Sequence, residues 1–117
     1  MDSGTKRIAI PVADAVLAPH FGHCKSFELV DIDLDARSIV GRQTIPAPPH
    51  EPGLLPRWLA GQGAAVVVAG GMGNRAQELF HQHGMEVVLG VQTASPSEIA
   101  ERYLAGTLDS GANTCDH

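Results

Sequence analysis

The two cysteines of this chain each stand beside histidine, at opposite ends of the sequence. His20-Phe21-Gly22-His23-Cys24 lies near the start, and Cys115-Asp116-His117 closes the chain. Thiolate and imidazole are the donors that hold soft and borderline metals and iron–sulfur species. His20, His23, Cys24, Cys115 and His117 would form one metal or cluster site if the fold returns the tail to the first loop. The competing reading makes His20 and His23 ordinary loop residues, Cys24 a small buried apolar side chain, and the tail disordered. Spacing leaves both open. His-x-x-His-Cys with Cys-x-His is more specific than a lone Cys-x-His and less specific than paired Cys-x-x-Cys motifs.

A second candidate is Gly70-Gly71-Met72-Gly73-Asn74-Arg75, between a strand pattern and a helix pattern. Successive glycines let backbone N–H groups turn toward an anion, and a helix N-terminus adds favourable partial charge. In that reading Gly71, Gly73 and Asn74 form an anion-binding lip, Arg75 supplies charge, and Met72 is a soft, adaptable contact. The alternative is a simple tight turn. Gly71, Gly73 and Ala76 satisfy a minimal G-x-G-x-x-A, but the motif follows a middle strand and no acid ends the next strand to hold a ribose. No Gly-Lys-Ser/Thr occurs, so the Walker pattern fails as well.

Asp31, Asp33 and Asp35 alternate along a strand end into a turn, where carboxylates are usually solvated. Two-metal nuclease chemistry needs carboxylates converging at the sheet centre, and the first strand carries none. His81 and His83 fall in the last turn of a helix and His50 in a proline-rich loop, and all three read as structural or surface residues.

The elements that must position these residues follow from periodicity and punctuation. Lys6–Val12, Ser26–Asp33 and Ser38–Ile45 read as strands, the first pairings antiparallel. Ala13–His23 reads as a loop. Pro46–Pro56 holds five of the eight prolines and reads as a surface connection. Leu54–Gly61 is a short helix with Leu55, Trp58 and Leu59 at helical spacing. Ala64–Ala69 is an apolar run suited to a strand covered on both faces. Asn74 is the expected N-cap of a helix over Arg75–His83 that buries Ala76, Leu79 and Phe80 and stops at Gly84. Glu86–Leu89 is the next strand. Ser95-Pro96-Ser97-Glu98 is a capping box opening a helix to about Ala105, with Ile99, Tyr103 and Leu104 inward. Residues 106–117 read as a flexible tail without helix. This order predicts one α/β domain over residues 1–117, a three-layer α/β/α ribonuclease-H-like fold with a mixed, roughly five-stranded sheet.

Composition narrows the function classes. Apolar residues are 44% and charged residues 18% of 117, ordinary for a globular domain able to bury a core without disulfide staples. No apolar run approaches a membrane span, so no membrane association is expected. The net charge is −5 with eight scattered basic residues, which argues against a nucleic-acid surface. The start of the chain shows no export pattern, which predicts a cytoplasmic protein whose cysteines are thiols or ligands.

Three blocks together resemble the dinitrogenase iron–molybdenum cofactor-binding family, of NifX, NafY and NifB C-terminal-domain type with small stand-alone members. They are Pro19-His20-Phe21-Gly22-His23-Cys24-x-x-Phe27, Gly70-Gly71-Met72-Gly73-Asn74-Arg75-Ala76, and Asn113-Thr114-Cys115-Asp116-His117. The resemblance implies a ribonuclease-H-like fold without nuclease chemistry. It also implies a carrier for a metal–sulfur cluster of Fe–S, Mo–Fe–S or Mo–Cu–S type. His20, His23, Cys24, Met72, Cys115 and His117 are the implied ligand candidates. Cluster-donor or cluster-acceptor proteins are the expected partners, with a weak homodimer left open. Two other classes stay open: a nucleotide- or phosphate-binding enzyme centred on Gly70–Arg75, and a ligand-free regulatory or scaffold domain.

Overall fold

The computed structural model describes residues 4–14, 16–17, 25–48, 54–92 and 94–106. Strands β1 (Thr5–Ala13), β2 (Val16–Leu17), β3 (Ser26–Asp33) and β4 (Ser38–Pro46) are followed by helix α1 (Leu54–Gly61). Then come β5 (Val66–Val68), α2 (Asn74–Gln82), β6 (Glu86–Val88) and α3 (Pro96–Ala105). They form one six-stranded mixed sheet of order β4-β3-β1-β5-β6, with β2 paired to β1. β1 is antiparallel to β3 and β3 to β4, whereas β1, β5 and β6 run parallel. The mixed sheet with three helices is the one the element pattern predicts, with one strand more than expected.

The extra strand is β2, inside the segment read as a loop. Asp14 takes φ 56° in the two-residue turn that pairs Ala13 with Val16. Asp tolerates this left-handed conformation better than most residues, and tight hairpins require it. The Ala64–Ala69 run shortens to Val66–Val68 for a different reason: Ala64 and Ala69 are buried, but outside the ladder. Apolarity there reports covering, although the Ala69 N–H still donates to the Val88 carbonyl of β6 at 2.9 Å.

Alternation along the strands gives the sheet two buried faces. Ile8, Ile10, Val12, Val30, Ile32, Val66 and Val68 pack with Ile99 and Ala100 of α3. Ala9, Phe27, Leu29 and Val67 pack with Leu59 of α1 and with Met72, Phe80 and Met85 around α2. Trp58, the only tryptophan, lies 5.6 Å from the Phe27 ring at a tilted 57°. Helices therefore cover both faces.

The helix ends show how local chemistry sets boundaries. Ser95 caps α3, its Oγ accepting from the Glu98 N–H at 3.3 Å with proline in the first turn. Gly106 then closes α3 at φ 74°, a left-handed conformation that costs glycine nothing. In α2 only Phe80 is fully buried, while Ala76 and Leu79 are half-buried.

Edge strand β4 carries a bulge: Gly41 faces Asp31 and Ile39 faces Ile32, so Val40 is left over. This explains why Val40 is 60% exposed. A bulge also twists an edge away from further strand pairing, which disfavours a dimer built on β4.

At the opposite end of the sheet the Tyr103 phenol donates to Glu86 Oε1 at 3.0 Å and accepts from Lys6 Nζ at 3.5 Å. Burial and then the Glu86 carboxylate raise its pKa above the usual 10.0. A raised folded-state pKa favours the neutral phenol, so this contribution is full below about pH 10 and fades as pH rises through the folded value. As this is the only tyrosine, an absorbance titration near 295 nm reports it alone. The expected midpoint lies above that of the urea-unfolded chain. Coincident midpoints would contradict the assigned hydrogen bond.

Candidate functional site

Because β1, β5 and β6 are parallel, their C-terminal ends share one edge of the sheet. From that edge the chain leaves β1 toward β3 on one side, and leaves β5 through α2 toward β6 on the other. The connections diverge between β1 and β5. Open α/β sheets form their ligand crevices at such points, outside the carboxyl ends of the strands.

Segment 18–24, which carries His20, His23 and Cys24, lies outside the described residues, and so do Cys115 and His117. The flanks of segment 18–24 are described, and they sit at this edge. The Leu17 N–H donates to the Ala94 carbonyl at 2.9 Å, and the Lys25 N–H donates to the Val12 carbonyl at 3.0 Å. The Ala47 N–H donates to the Lys25 carbonyl at 3.1 Å, tying the second flank to the end of β4. Lys25 itself is exposed and has no ion pair among the described residues.

The glycine lip leaves β5 at the same edge. It is tied to the segment after β6: the Gly90 N–H donates to Gly70 at 3.1 Å and the Val91 N–H to Ala69 at 3.3 Å. Gly70 and Gly71 are buried, while Gly73, Asn74 and Arg75 are exposed. The lip differs from the sequence expectation in two respects. The N-cap of α2 is Gly73, at φ −67° and ψ 157°, and Asn74 is the first helical residue. Gly73 earns that position because its carbonyl accepts the first intrahelical bond, from the Gln77 N–H at 3.1 Å. With no side chain at the cap, no side-chain hydrogen bond closes the helix start.

Met72 is the second difference. Its side chain is 1% exposed, packed in the cluster with Leu59, Phe80 and Met85. The sequence pattern reads a soft contact at the lip, and in the fold the Met72 side chain is packed into the core beneath it. Arg75 is exposed and makes no ion pair among the described residues, so its charge is available at the lip.

On the α3 side of the same edge lies a cleft of about 410 Å³, bordered by Lys25, Glu28, Arg42, Thr44 and Pro96. Glu28 is 8% exposed, and sequence reading did not single it out. Arg42 Nε donates to Glu28 Oε2 at 2.5 Å and Thr44 Oγ1 donates to Oε1 at 3.0 Å. Arg42 Nη1 also donates to Ser97 Oγ, joining β3, β4 and α3. The signal was available: Glu28 shares a strand face with Val30 and Ile32, so its carboxylate had to be buried and paired.

The acidic series divides into local roles. Asp31 is ion-paired and not simply solvated: Arg7 Nε and Nη2 donate to its two oxygens at 2.7 and 3.1 Å. That hydrogen bond raises the Arg7 pKa. Arg7 Nη1 donates to the Gln62 carbonyl at 2.6 Å, fastening the end of α1 to the sheet. Asp33 Oδ1 accepts from the N–H groups of Asp35 and Ala36, closing the turn between β3 and β4. His81 and His83 are exposed at the C-terminal end of α2.

The elements and their pairing define a mixed α/β domain, with the glycine lip and the flanks of segment 18–24 at the C-terminal ends of the parallel strands. The sequence profile of the dinitrogenase iron-molybdenum cofactor family matches residues 5–106, and the chain belongs to that family. The match runs from β1 to the end of α3, so it includes Cys24 and the lip and stops short of Cys115. Among relatives, the uncharacterized protein MJ0580 of Methanocaldococcus jannaschii is 29% identical over 107 residues, 88% of this chain and 89% of its own. The crystal structure of PH0822 is 32% identical with a TM-score of 0.81, covering 89% of this chain and 93% of that one. The apo form of the orange protein from Desulfovibrio gigas shares the fold at 23% identity and a TM-score of 0.69, over 92% and 94% of the two chains.

Proposed function

We propose that this protein is a non-enzymatic carrier for an anionic metal–sulfur cluster, of the iron–molybdenum cofactor type or a precursor of it. The supporting observation is topological. The flanks of segment 18–24 and the Gly70–Arg75 lip both lie at the end of the sheet where the connections from β1 and β5 diverge. In this reading His20, His23 and Cys24 supply nitrogen and sulfur donors, and Cys115 and His117 close over the cargo. Gly71, Gly73 and Asn74 present backbone N–H groups, and Arg75 with Lys25 balances the negative charge. Met72 holds the lip from below, through the core. Thiolate ligation suits a reducing cytoplasm, where cluster-donor and cluster-acceptor proteins would load and unload the carrier.

Anaerobic incubation with iron and sulfide, or with tetrathiomolybdate, tests the reading after desalting. The expected result is a visible charge-transfer absorption that co-elutes with the protein at a fixed metal-to-protein ratio. Absence of co-eluting absorption under both treatments would overturn it.

A further inference from the structure

The Gln77 side chain makes a contact that neither helix formation nor core packing requires. From the first turn of α2 its Nε2 reaches back and donates to the Met72 carbonyl at 2.9 Å. The two ends of the Met72–Gly73 peptide unit are thereby treated differently. Its carbonyl is held by Gln77, whereas its N–H, on Gly73, has no hydrogen-bond acceptor among the described residues.

The bond direction matters. In a capping box the glutamate or glutamine side chain accepts from the N-cap N–H and so consumes that donor. Here the glutamine donates to the other end of the same peptide unit and leaves the N-cap donor open. The peptide is trans, as are all the others described. Its C=O and N–H therefore point in opposite directions, and pinning one fixes the other. With the carbonyl drawn toward α2, the Gly73 N–H is directed away from it. Gly73 is exposed and has no side chain to cover that donor. A glycine peptide is otherwise among the easiest to rotate, so a lip without this tether would sample several orientations.

We infer that Gln77 is the positioning residue of the glycine lip, holding the Met72–Gly73 peptide so that the Gly73 N–H stands ready for an anionic cargo. The inference rests on the carrier reading for its functional meaning, although its structural half stands without cargo. Gln77 itself does not touch the cargo. It removes the need to order the lip at the moment of binding, and preorganisation of this kind raises affinity by cutting that cost.

The test uses the ¹⁵N-labelled full chain and Gln77→Leu, which keeps the bulk of the side chain and removes the donor. Without cargo, the Gly73 amide of the variant is expected to show a lower order parameter than the wild type, with a nearly unchanged melting temperature. On titration with tetrathiomolybdate, the wild-type Gly73 amide proton should shift downfield. In Gln77→Leu that shift should shrink and the affinity fall by about fivefold, the effect of one neutral hydrogen bond. A purely structural role would lower the melting temperature and leave the Gly73 shift intact.

If the cargo-free Gly73 amide is as ordered in Gln77→Leu as in the wild type, the inference is wrong whatever the cargo. If the lip loosens and tetrathiomolybdate binds both proteins equally well, the lip is not part of the site and the inference is again overturned. If the lip loosens and neither protein binds thiomolybdate or an iron–sulfur cluster, the tether stands and the carrier reading fails. Gln77→Glu supplies a second variant, because a carboxylate facing the Met72 carbonyl should loosen the lip at least as much.

Discussion

Cys24→Ser is expected to strip the protein of its cargo while leaving the fold intact. Serine replaces a polarizable thiolate by a hydroxyl that stays protonated at neutral pH and is a poor ligand for soft metals. Loss of hydrogen bonds behind a metal ligand already costs 10- to 100-fold, so loss of the ligand itself should lower cluster affinity by at least about 100-fold. The matching Cys115→Ser variant should lose less, since in this reading Cys115 only closes over a cargo already held by the first loop. Metal content after anaerobic desalting checks both, with urea midpoints confirming that each variant folds. Wild-type metal content in Cys24→Ser would remove that residue from the site.

Phe80→Ala carries the largest expected effect on stability. Phe80 is fully buried and packs in one cluster with Leu59, Met72 and Met85, the cluster that seats α2 on the sheet. Removing the ring forfeits its transfer free energy and leaves a cavity, together about 3–5 kcal/mol. Domains of this size hold about 5–15 kcal/mol in all, so the variant should fold only marginally. Because Met72 shares the cavity wall, the glycine lip should loosen as well and cargo affinity should fall with stability. Urea unfolding followed through Trp58 measures the loss. A loss below about 1 kcal/mol would mean that α2 does not depend on this core.

Elements fixed by local chemistry or by clean alternation were legible in the residues. Ser95-Pro96-Ser97-Glu98 announces the start of α3, because hydroxyl, proline and carboxylate each do one identifiable job there. The alternation of Phe27 and Leu29 against Val30 and Ile32 announces β3 and its two buried faces. What escaped depends on contacts distant in sequence. The two-residue β2 exists because β1 is there to pair with it, and Val16-Leu17 alone carries no strand signal. Asn74 has the better capping propensity, yet the extended residue is Gly73. Met72 lies in a glycine-rich stretch that suggests exposure, while the turn directs its side chain into the core. Gln77 was invisible for the same reason: its partner is a carbonyl, and every residue has one. The two Cys–His clusters and the glycine lip are legible from residue type and spacing. The fold added the shared edge to which the flanks of the first cluster and the whole of the lip belong.

The most direct measurement is a ¹H–¹⁵N titration of the anaerobic protein with tetrathiomolybdate, reading every backbone amide at once. Cargo held at the divergence between β1 and β5 should shift Leu17 and Lys25 together with Gly71 to Arg75. Lys6 and Glu86 at the far end of the sheet, and Val40 on its edge, should stay still. Shifts confined to one of the two segments, or centred on residues away from that edge, would contradict a site built from both.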